Sequence, residues 1–264
     1  MVSYIPPELT DIIIQSCIST PPSSSVRDPI DKHTRATLIA CSLVCRDWLP
    51  ASRSLAFSHI SLKCTRRDLS SFKNLISSTC TFLGYVKEII FIIPRGRGDY
   101  WDAVSSNLIA GVVTPLRPTS IRICGEEPSF GDKKAVLIRD HVRLALAEAF
   151  SKLYATPKVA VAPPTSLTIS SLLFESFSNL TLFLRSFPSI TSLRLHDLTF
   201  TLLHFHRICH PNNLRPPVRE LVVKGISQSR EALLLAHFVA ADGGVIERLE
   251  VEFDEEGDTS WRWD

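Results

Sequence analysis

The sequence lacks any run of the roughly 18 apolar residues that a membrane-spanning helix needs. Its longest apolar stretch, residues 86–93, has the length of a strand and is interrupted by Lys87 and Glu88. The start of the chain has no basic region, and Pro6 and Glu8 interrupt what would be the apolar part of a secretory leader. We therefore expect an intracellular protein, cytoplasmic or nuclear or both, with no membrane partner.

A strong charge of one sign is also missing. The 29 Lys and Arg residues nearly balance the 27 Asp and Glu residues, which leaves a formal net charge of +2. No overall field attracts nucleic acid, so we expect no nucleic-acid partner. Hydrophobic residues make up 45% of the 264, enough for the core of one large domain or two modest ones.

Paired cysteine motifs are absent. The seven cysteines are odd in number, widely spread, and contain no C-x-x-C pair, so a structural zinc site has little support. In a reducing compartment they are predicted to be small buried hydrophobic residues. They are Cys17, Cys41, Cys45, Cys64, Cys80, Cys124 and Cys209.

Motifs for catalysis and cofactor binding are missing as well. There is no G-x-S-x-G, no G-x-x-x-x-G-K-[ST] and no H-E-x-x-H. One metal-like cluster contains His204, His206, Cys209 and His210, but no carboxylate stands nearby, and a partly exposed helix is the simpler interpretation. We expect a protein that is not an enzyme and has no cofactor and no metal.

The N-terminal segment has the pattern of a helix start. Pro7 suits a first turn, and Glu8 places negative charge near the helix N-terminus. Leu9, Ile12 and Ile13 fall on one helix face. The polar, proline-rich residues 19–34 then predict a flexible insert, followed by a second helix over 35–44 and a short third helix over 51–57.

These residues resemble a known module. Ile5, Pro6, Glu8 and Leu9, then Leu38, then Ser42-Leu43-Val44-Cys45-Arg46-x-Trp48 are similar to the F-box of fungal, basidiomycete-like proteins. The resemblance covers residues 4–60, and the insert is longer than the family pattern. It implies a three-helix module that docks on the Skp-type adaptor of a cullin–RING ubiquitin ligase.

A physical argument supports docking. A module of about 55 residues cannot bury all of its apolar side chains, and apolar residues left at a surface mark interfaces. The alternative, open above all for Trp48, is that they pack on the rest of the chain. The predicted adaptor-binding residues are Ile5, Pro6, Leu9, Ile13, Leu43, Val44 and Trp48.

A strand-like unit of two apolar residues around a third residue recurs along the rest of the chain. Its instances begin at Ile60, Ile89, Ile121, Leu167, Leu193, Leu221 and Leu249, with successive spacings of 29, 32, 46, 26, 28 and 28 residues. Spacings of 26 to 28 fit leucine-rich repeats. Helix-spaced apolar sets precede four of the units: Leu69, Phe72, Leu75 and Ile76; Val142, Leu146, Phe150 and Leu153; Leu180, Phe183, Leu184 and Phe187; Leu233, Leu234, Phe238 and Ala241.

The run 187–198 resembles the irregular leucine-rich repeat of F-box proteins, although the asparagine of that repeat is absent. The predicted fold class is α/β: an F-box-like helical module over 1–58, then a leucine-rich-repeat-like solenoid over 59–264. A compact α/β sheet is the alternative. In a solenoid the candidate target-binding face holds Arg122, Arg194, His196, Glu220, Lys224, Glu250 and Glu252; a merely solvated face is the alternative for each of them.

The resemblance implies a substrate receptor of an SCF-type ubiquitin ligase. Its partners are then a Skp-type adaptor within a cullin complex and a target protein that the sequence does not name. An alternative is a scaffolding repeat protein with a degenerate F-box. A hydrolase is a remote third hypothesis, because no catalytic constellation is found.

Overall fold

The computed structural model describes residues 7–17, 32–78, 81–95, 103–126, 136–138, 140–155, 163–202, 217–226 and 246–253. Over these residues the protein is α/β, with seven α-helices and two parallel sheets, neither of them a closed barrel. The predicted α/β class is confirmed at this level. The elements in chain order are α1 Pro7–Ser16, α2 Lys32–Cys41, α3 Leu49–Ala56, β1 His59–Lys63, α4 Arg66–Ser77, β2 Glu88–Ile93, α5 Ala103–Leu116, β3 Ser120–Gly125, β4 Val136–Leu137, α6 Asp140–Ala155, β5 Ser166–Ser170, β6 Leu172–Ser176, α7 Phe177–Leu184, β7 Ser192–His196, β8 Thr199–Leu202, β9 Glu220–Ile226 and β10 Arg248–Phe253.

The three N-terminal helices enclose a small core of their own. Ile14, Leu38 and Ala56 are buried there, and Trp48, Ala51, Leu55 and Phe57 pack around them. Each helix contributes one fully buried apolar side chain, so this core is thin compared with that of the sheet.

The predicted bounds of the second helix and of the insert are wrong. α2 begins at Lys32 and ends at Cys41, so residues 32–34 are helical rather than part of a loop. Thr34 is buried, which holds this first turn against the module. After Cys41 the amides of Leu43 and Val44 donate three residues back, at 3.0 and 3.1 Å, and this tighter turn ends the α-helix.

The larger sheet has seven parallel strands in the order β1-β2-β3-β5-β7-β9-β10. Each strand pairs with the next one of the same sheet along the chain, with no reversal of order. The seven predicted units lie in these seven strands, which confirms them. Their first residues form one continuous row in register: Ile60, Ile89, Ile121, Leu167, Leu193, Leu221 and Leu249.

A second apolar row lies two residues further along each strand. Both rows point to the same face, because side chains alternate along a strand. Except at β10, where they are partly buried, these side chains are buried in the main core. The second row holds Leu62, Phe91, Ile123, Ile169, Leu195, Val223 and Val251.

Helices cover this apolar face. On α6 the predicted residues Val142, Leu146 and Phe150 are buried, and the ring centroid of Phe150 lies 4.6 Å from that of Phe187 and 6.3 Å from that of Phe91. The predicted set on α7 and the following turn is buried as well, from Leu180 to Phe187. The helix predicted over 233–241 lies outside the described residues.

The predicted face of α4 is only partly correct. Leu69 and Ile76 are buried and Phe72 packs on the core, but Leu75 is exposed. Leu75 precedes Ile76 directly, so the two side chains are about 100° apart around the helix. The apolar stripe of this helix is therefore narrower than its sequence indicates.

A second sheet of three short parallel strands, β4-β6-β8, was not predicted. Two of its strands are reached through corner residues with left-handed backbone: Ser171 with φ of 54° follows β5, and Asp197 with φ of 50° follows β7. Gly225, with φ of 62°, occupies the equivalent position of β9. A residue with left-handed backbone therefore occupies the equivalent position of β5, β7 and β9.

Replacing Gly225 by alanine is expected to destabilise the protein by about 1–3 kcal/mol. A Cβ at this position would lie 2.2 Å from Oδ1 of Asp197, and the positive φ disfavours any L side chain. Urea unfolding of Gly225→Ala measures the effect, with Gly84→Ala as the control because nothing lies within 4 Å of a Cβ there. Equal losses of unfolding free energy in Gly225→Ala and Gly84→Ala would contradict backbone strain at Gly225.

Among the helices that the structure describes, none is long and apolar enough to cross a membrane.

Candidate protein-binding surfaces

The apolar side of α1 that the sequence indicates points outward. Leu9, Ile12 and Ile13 are exposed, with Ile12 at 61%, whereas Thr10 and Ile14 are 2% and 0% exposed. A helix with apolar side chains on both its inner and its outer side is suited to pack between two neighbours. Within the part of the chain that the structure describes, only the inner side of α1 is packed, in the core around Ile14.

The turn after α2 exposes more apolar surface. Leu43 is 81% exposed and Val44 is also exposed, and the exposed Ile39 of α2 lines the same cleft as Leu43. We call the exposed apolar residues of the module the docking surface. The docking surface consists of Leu9, Ile12, Ile13, Ile39, Leu43 and Val44.

The predicted adaptor-binding residues divide into three groups. Leu9, Ile13, Leu43 and Val44 belong to the docking surface. Trp48 is half-buried and packs against the core of the module itself. Ile5 and Pro6 lie outside the described residues. Ile12 and Ile39 were not among the predicted contacts, although Ile12 shares the helix face of Leu9 and Ile13.

An apolar cleft adjoins the docking surface. It has a volume of about 290 Å³ and lies between α2, α3 and the segment before β2. Ile39 and Leu43 form one wall, and the rings of Phe57 and Phe82 stack with centroids 5.0 Å apart at another. Arg53 Nη1 donates to Thr81 Oγ1 at 3.0 Å, so the cleft bridges the helical module and the sheet region.

The second candidate surface is the face of the larger sheet opposite the two apolar rows; we call it the polar face, although the buried Ile90 and Val222 also lie on it. All of the predicted target-binding residues lie on this face, because they alternate along the strands with the two buried rows. They are Arg122, Arg194, His196, Glu220, Lys224, Glu250 and Glu252.

Glu88 is the centre of the ion pairs at one end of the polar face. Nη2 of Arg122 donates to both of its carboxylate oxygens, at 3.2 and 3.3 Å, and Ser120 Oγ donates to Oε1 at 3.2 Å. His59 Nε2 lies 3.7 Å from Oε2. Glu88 is buried, so its charge depends on these partners for stabilisation.

Glu220 is the centre of a second group of ion pairs, towards the other end of the polar face. Ser192 Oγ donates to its Oε2 at 2.7 Å, while Arg194 and Arg248 lie 3.5 and 3.4 Å from Oε1. Lys224 Nζ then pairs with Glu250 at 2.8 Å and with Glu252 at 2.9 Å. The cations of this face are therefore largely neutralised by neighbouring carboxylates.

These pairs shift several pKa values. The hydrogen bonds to Glu250 and Glu252 raise the pKa of Lys224, and the hydrogen bond from Lys224 lowers the pKa of Glu250. Burial lowers the pKa of His196, against the charge of Asp197, and the positive charges of Lys224, Arg194 and Arg122 lower it further. The lowered pKa favours the neutral form of His196, and the opposite shifts of Lys224 and Glu250 favour the charged form of that pair.

Removing the carboxylate of Glu88 is expected to destabilise the protein by about 2–4 kcal/mol, because the half-buried Arg122 then loses its hydrogen bonds to both carboxylate oxygens. Glu88→Ala is compared in urea unfolding with Glu247→Ala. Glu247 pairs with Arg219 at 3.5 Å in an exposed position, where a pair contributes less than about 1 kcal/mol. An equally small loss for Glu88→Ala would contradict its role as the centre of the pairs.

The described residues contain no group of three or more His, Cys, Asp or Glu side chains that could hold a metal ion. The predicted cluster of His204, His206, Cys209 and His210 lies outside them. No family model matches the chain, and no curated protein or solved structure is significantly similar to it. The functional argument therefore depends on the surfaces of this chain.

Proposed function

We propose that the protein is a substrate receptor of an SCF-type ubiquitin ligase. The F-box-like module, residues 1–58, binds a Skp-type adaptor in a cullin complex, and the region 59–264 binds a target protein. The observation that carries the proposal is the set of exposed large apolar side chains on the module, on the outward side of α1 and in the turn after α2. So many exposed apolar side chains on a small helical module are typical of surfaces that a protein partner covers.

The order of the strands supports a leucine-rich-repeat-like solenoid for the second region. In a doubly wound α/β sheet the strand order reverses once, and ligands bind at that point. Here each strand of the larger sheet follows the previous one, and the last three spacings are 26, 28 and 28 residues. Sequential stacking of units that bury their apolar faces on their neighbours is the defining property of a solenoid.

In the mechanism that follows, this chain acts by bringing two proteins close together and carries out no reaction itself. One surface holds the ligase core and the other holds a target, so target lysines are brought near a ubiquitin-charged enzyme bound elsewhere. The polar face of the sheet suits a protein target, because its side chains of both signs are already held in place by ion pairs.

Co-purification tests the proposal. The intact chain is co-expressed with a Skp-type adaptor, and a stable stoichiometric complex is expected on size-exclusion chromatography. A second chain without residues 19–31 tests whether the insert obstructs docking; this deletion spares the helical residues 32–34. If neither chain binds while both are folded, the ligase proposal is wrong and the scaffolding alternative remains.

A further inference from the structure

β5 is the middle strand of the larger sheet, and it carries no charged side chain. On the polar face it presents Ser166, Thr168 and Ser170, which alternate with the buried Leu167 and Ile169. We call the strip formed by these three hydroxyl residues the trough. Oγ of Ser170 is buried and has no hydrogen-bond partner among the described residues. The trough therefore provides hydroxyl groups but no charge of its own.

Two arginines flank the trough at its middle residue. In the register of the sheet, Thr168 lies between Arg122 of β3 and Arg194 of β7. Neighbouring strands are about 4.8 Å apart, so the backbones that carry the two arginines are about 9.6 Å apart. The side chain of Arg122 is 22% exposed and that of Arg194 is 49% exposed. A group that lies above Thr168 therefore has a guanidinium on each side.

The carboxylates that pair with these arginines lie on the side away from the trough. Arg122 donates to Glu88 of β2 at 3.2 Å, and Arg194 donates to Glu220 of β9 at 3.5 Å. In both cases the serine two residues before the arginine donates to the same carboxylate. Among the described strand residues of β2, β3, β5 and β7, Glu88 is the only carboxylate on the polar face. An anion at the trough is therefore closer to two cations than to either glutamate.

We propose that the trough binds the carboxylate of an acidic residue in the target protein, with Arg194 as its main charged partner and Arg122 on the other side. The inference rests on the proposed function, because it names the chemistry of the target that the polar face binds. Arg194 is the main partner because its one hydrogen bond among the described residues is long, whereas Arg122 is held by two shorter bonds to Glu88. A guanidinium binds a carboxylate through paired N–H donors.

A carboxylate fits the charge at the trough better than a phosphate does. Arg122 and Arg194 each pair with a glutamate already, so only a partial positive potential is left between them. A singly charged carboxylate matches this potential, whereas a phosphate of nearly double charge would also be repelled more strongly by Glu88 and Glu220. The target segment is therefore expected to contain an aspartate or a glutamate rather than a phosphorylated residue.

Fluorescence anisotropy with the full-length chain tests the class of ligand. The probe is a fluorescein-labelled peptide of alternating glutamate and alanine, compared with the same peptide carrying glutamine or phosphoserine at the glutamate positions. The glutamate peptide is expected to bind at least about tenfold more tightly than the glutamine peptide. Tighter binding of the phosphoserine peptide would overturn the assignment of a carboxylate. Equal binding of the glutamate and glutamine peptides would overturn the site.

Arg194→Gln tests whether the glutamate peptide binds at the trough. Its affinity is expected to fall about tenfold or more, while folding is kept because Glu220 retains its contacts with Ser192 and Arg248. The matched control is Arg219→Gln, since Arg219 also pairs with a glutamate at 3.5 Å but precedes β9 and does not flank β5. Similar losses in the two folded variants would show attraction by the surface as a whole and overturn the site.

Thr168→Glu provides a second test at the centre of the trough. The new carboxylate would lie between Arg122 and Arg194 and take the position of the peptide carboxylate, so binding of the glutamate peptide should be lost. Thr168→Gln has the same size without the charge and is expected to bind the peptide at least about threefold more tightly than Thr168→Glu. Circular dichroism verifies that both variants fold. Unchanged binding by Thr168→Glu would contradict the site.

The peptide titration and the adaptor experiment can fail separately. A chain that binds the glutamate peptide but no Skp-type adaptor would refute the ligase proposal, and the site would then belong to a scaffolding protein. A chain that binds the adaptor but not the glutamate peptide would refute the site and leave the ligase proposal in place.

Discussion

Leu43→Asp is expected to weaken binding of a Skp-type adaptor by about 30-fold or more. Leu43 is the most exposed large apolar side chain of the docking surface, at 81%, and it also lines the adjoining cleft. In a complex its side chain would lose water on all sides, so a carboxylate there would be desolvated without a partner. The same exposure in the free chain means that folding is not affected.

The control for this change is Leu144→Asp on α6. Leu144 is also a highly exposed leucine, at 55%, but it lies on a helix of the sheet region. Isothermal titration of adaptor into each variant measures affinity, and urea unfolding measures stability. An unchanged affinity in Leu43→Asp, or a similar loss in Leu144→Asp, would show that the docking surface does not define the contact.

Phe150→Ala is expected to reduce the free energy of unfolding by about 3–5 kcal/mol. Phe150 is fully buried, and its ring lies between those of Phe91 on β2 and Phe187 after α7. It therefore joins elements that are far apart in sequence. Truncation leaves a cavity that three elements would have to close together.

Leu144→Ala is the matched control, since it removes an apolar side chain from the exposed side of the same helix. Exposed substitutions of this kind change the free energy of unfolding by no more than about 0.5 kcal/mol. Urea unfolding at equal protein concentration compares the two variants. If Phe150→Ala lowers the free energy of unfolding no more than Leu144→Ala does, then α6 does not pack on the sheet as described.

The strands of the larger sheet were the part of the fold that the sequence predicted best. Each strand carries two apolar residues around a third, and the parallel register places corresponding residues side by side, from Ile60 to Leu249. A pattern that repeats seven times is a stronger signal than any single strand. α5 was missed because apolar residues occur around its whole circumference, which hides a helical period.

The helical spacing of apolar residues does not by itself show which side of a helix faces the core. Leu9, Ile12 and Ile13 share a face by spacing, yet Thr10 and Ile14 are the residues that the module buries. The cysteines show the same limit: Cys64 and Cys124 are buried as predicted, whereas Cys45 is exposed and Cys17 and Cys41 are half-buried. Burial depends on the packing of neighbouring elements, which composition and period do not contain.

The corners and the second sheet were missed for a different reason. Ser171 and Asp197 adopt positive φ without being glycine, so no residue type signals the change of direction. β4 has only two residues and β8 only four, which is too short for alternation to stand out. Such features arise from stacking of neighbouring units rather than from local preference.

Hydrogen exchange of the intact chain with and without a Skp-type adaptor tests the central claim most directly. We predict that amides of Pro7–Ser16 and of residues 42–48 exchange more slowly in the complex, while those of β5, β7 and β9 are unchanged. Protection confined to the strands, or no protection anywhere at saturating adaptor, would contradict a docking surface on the N-terminal module.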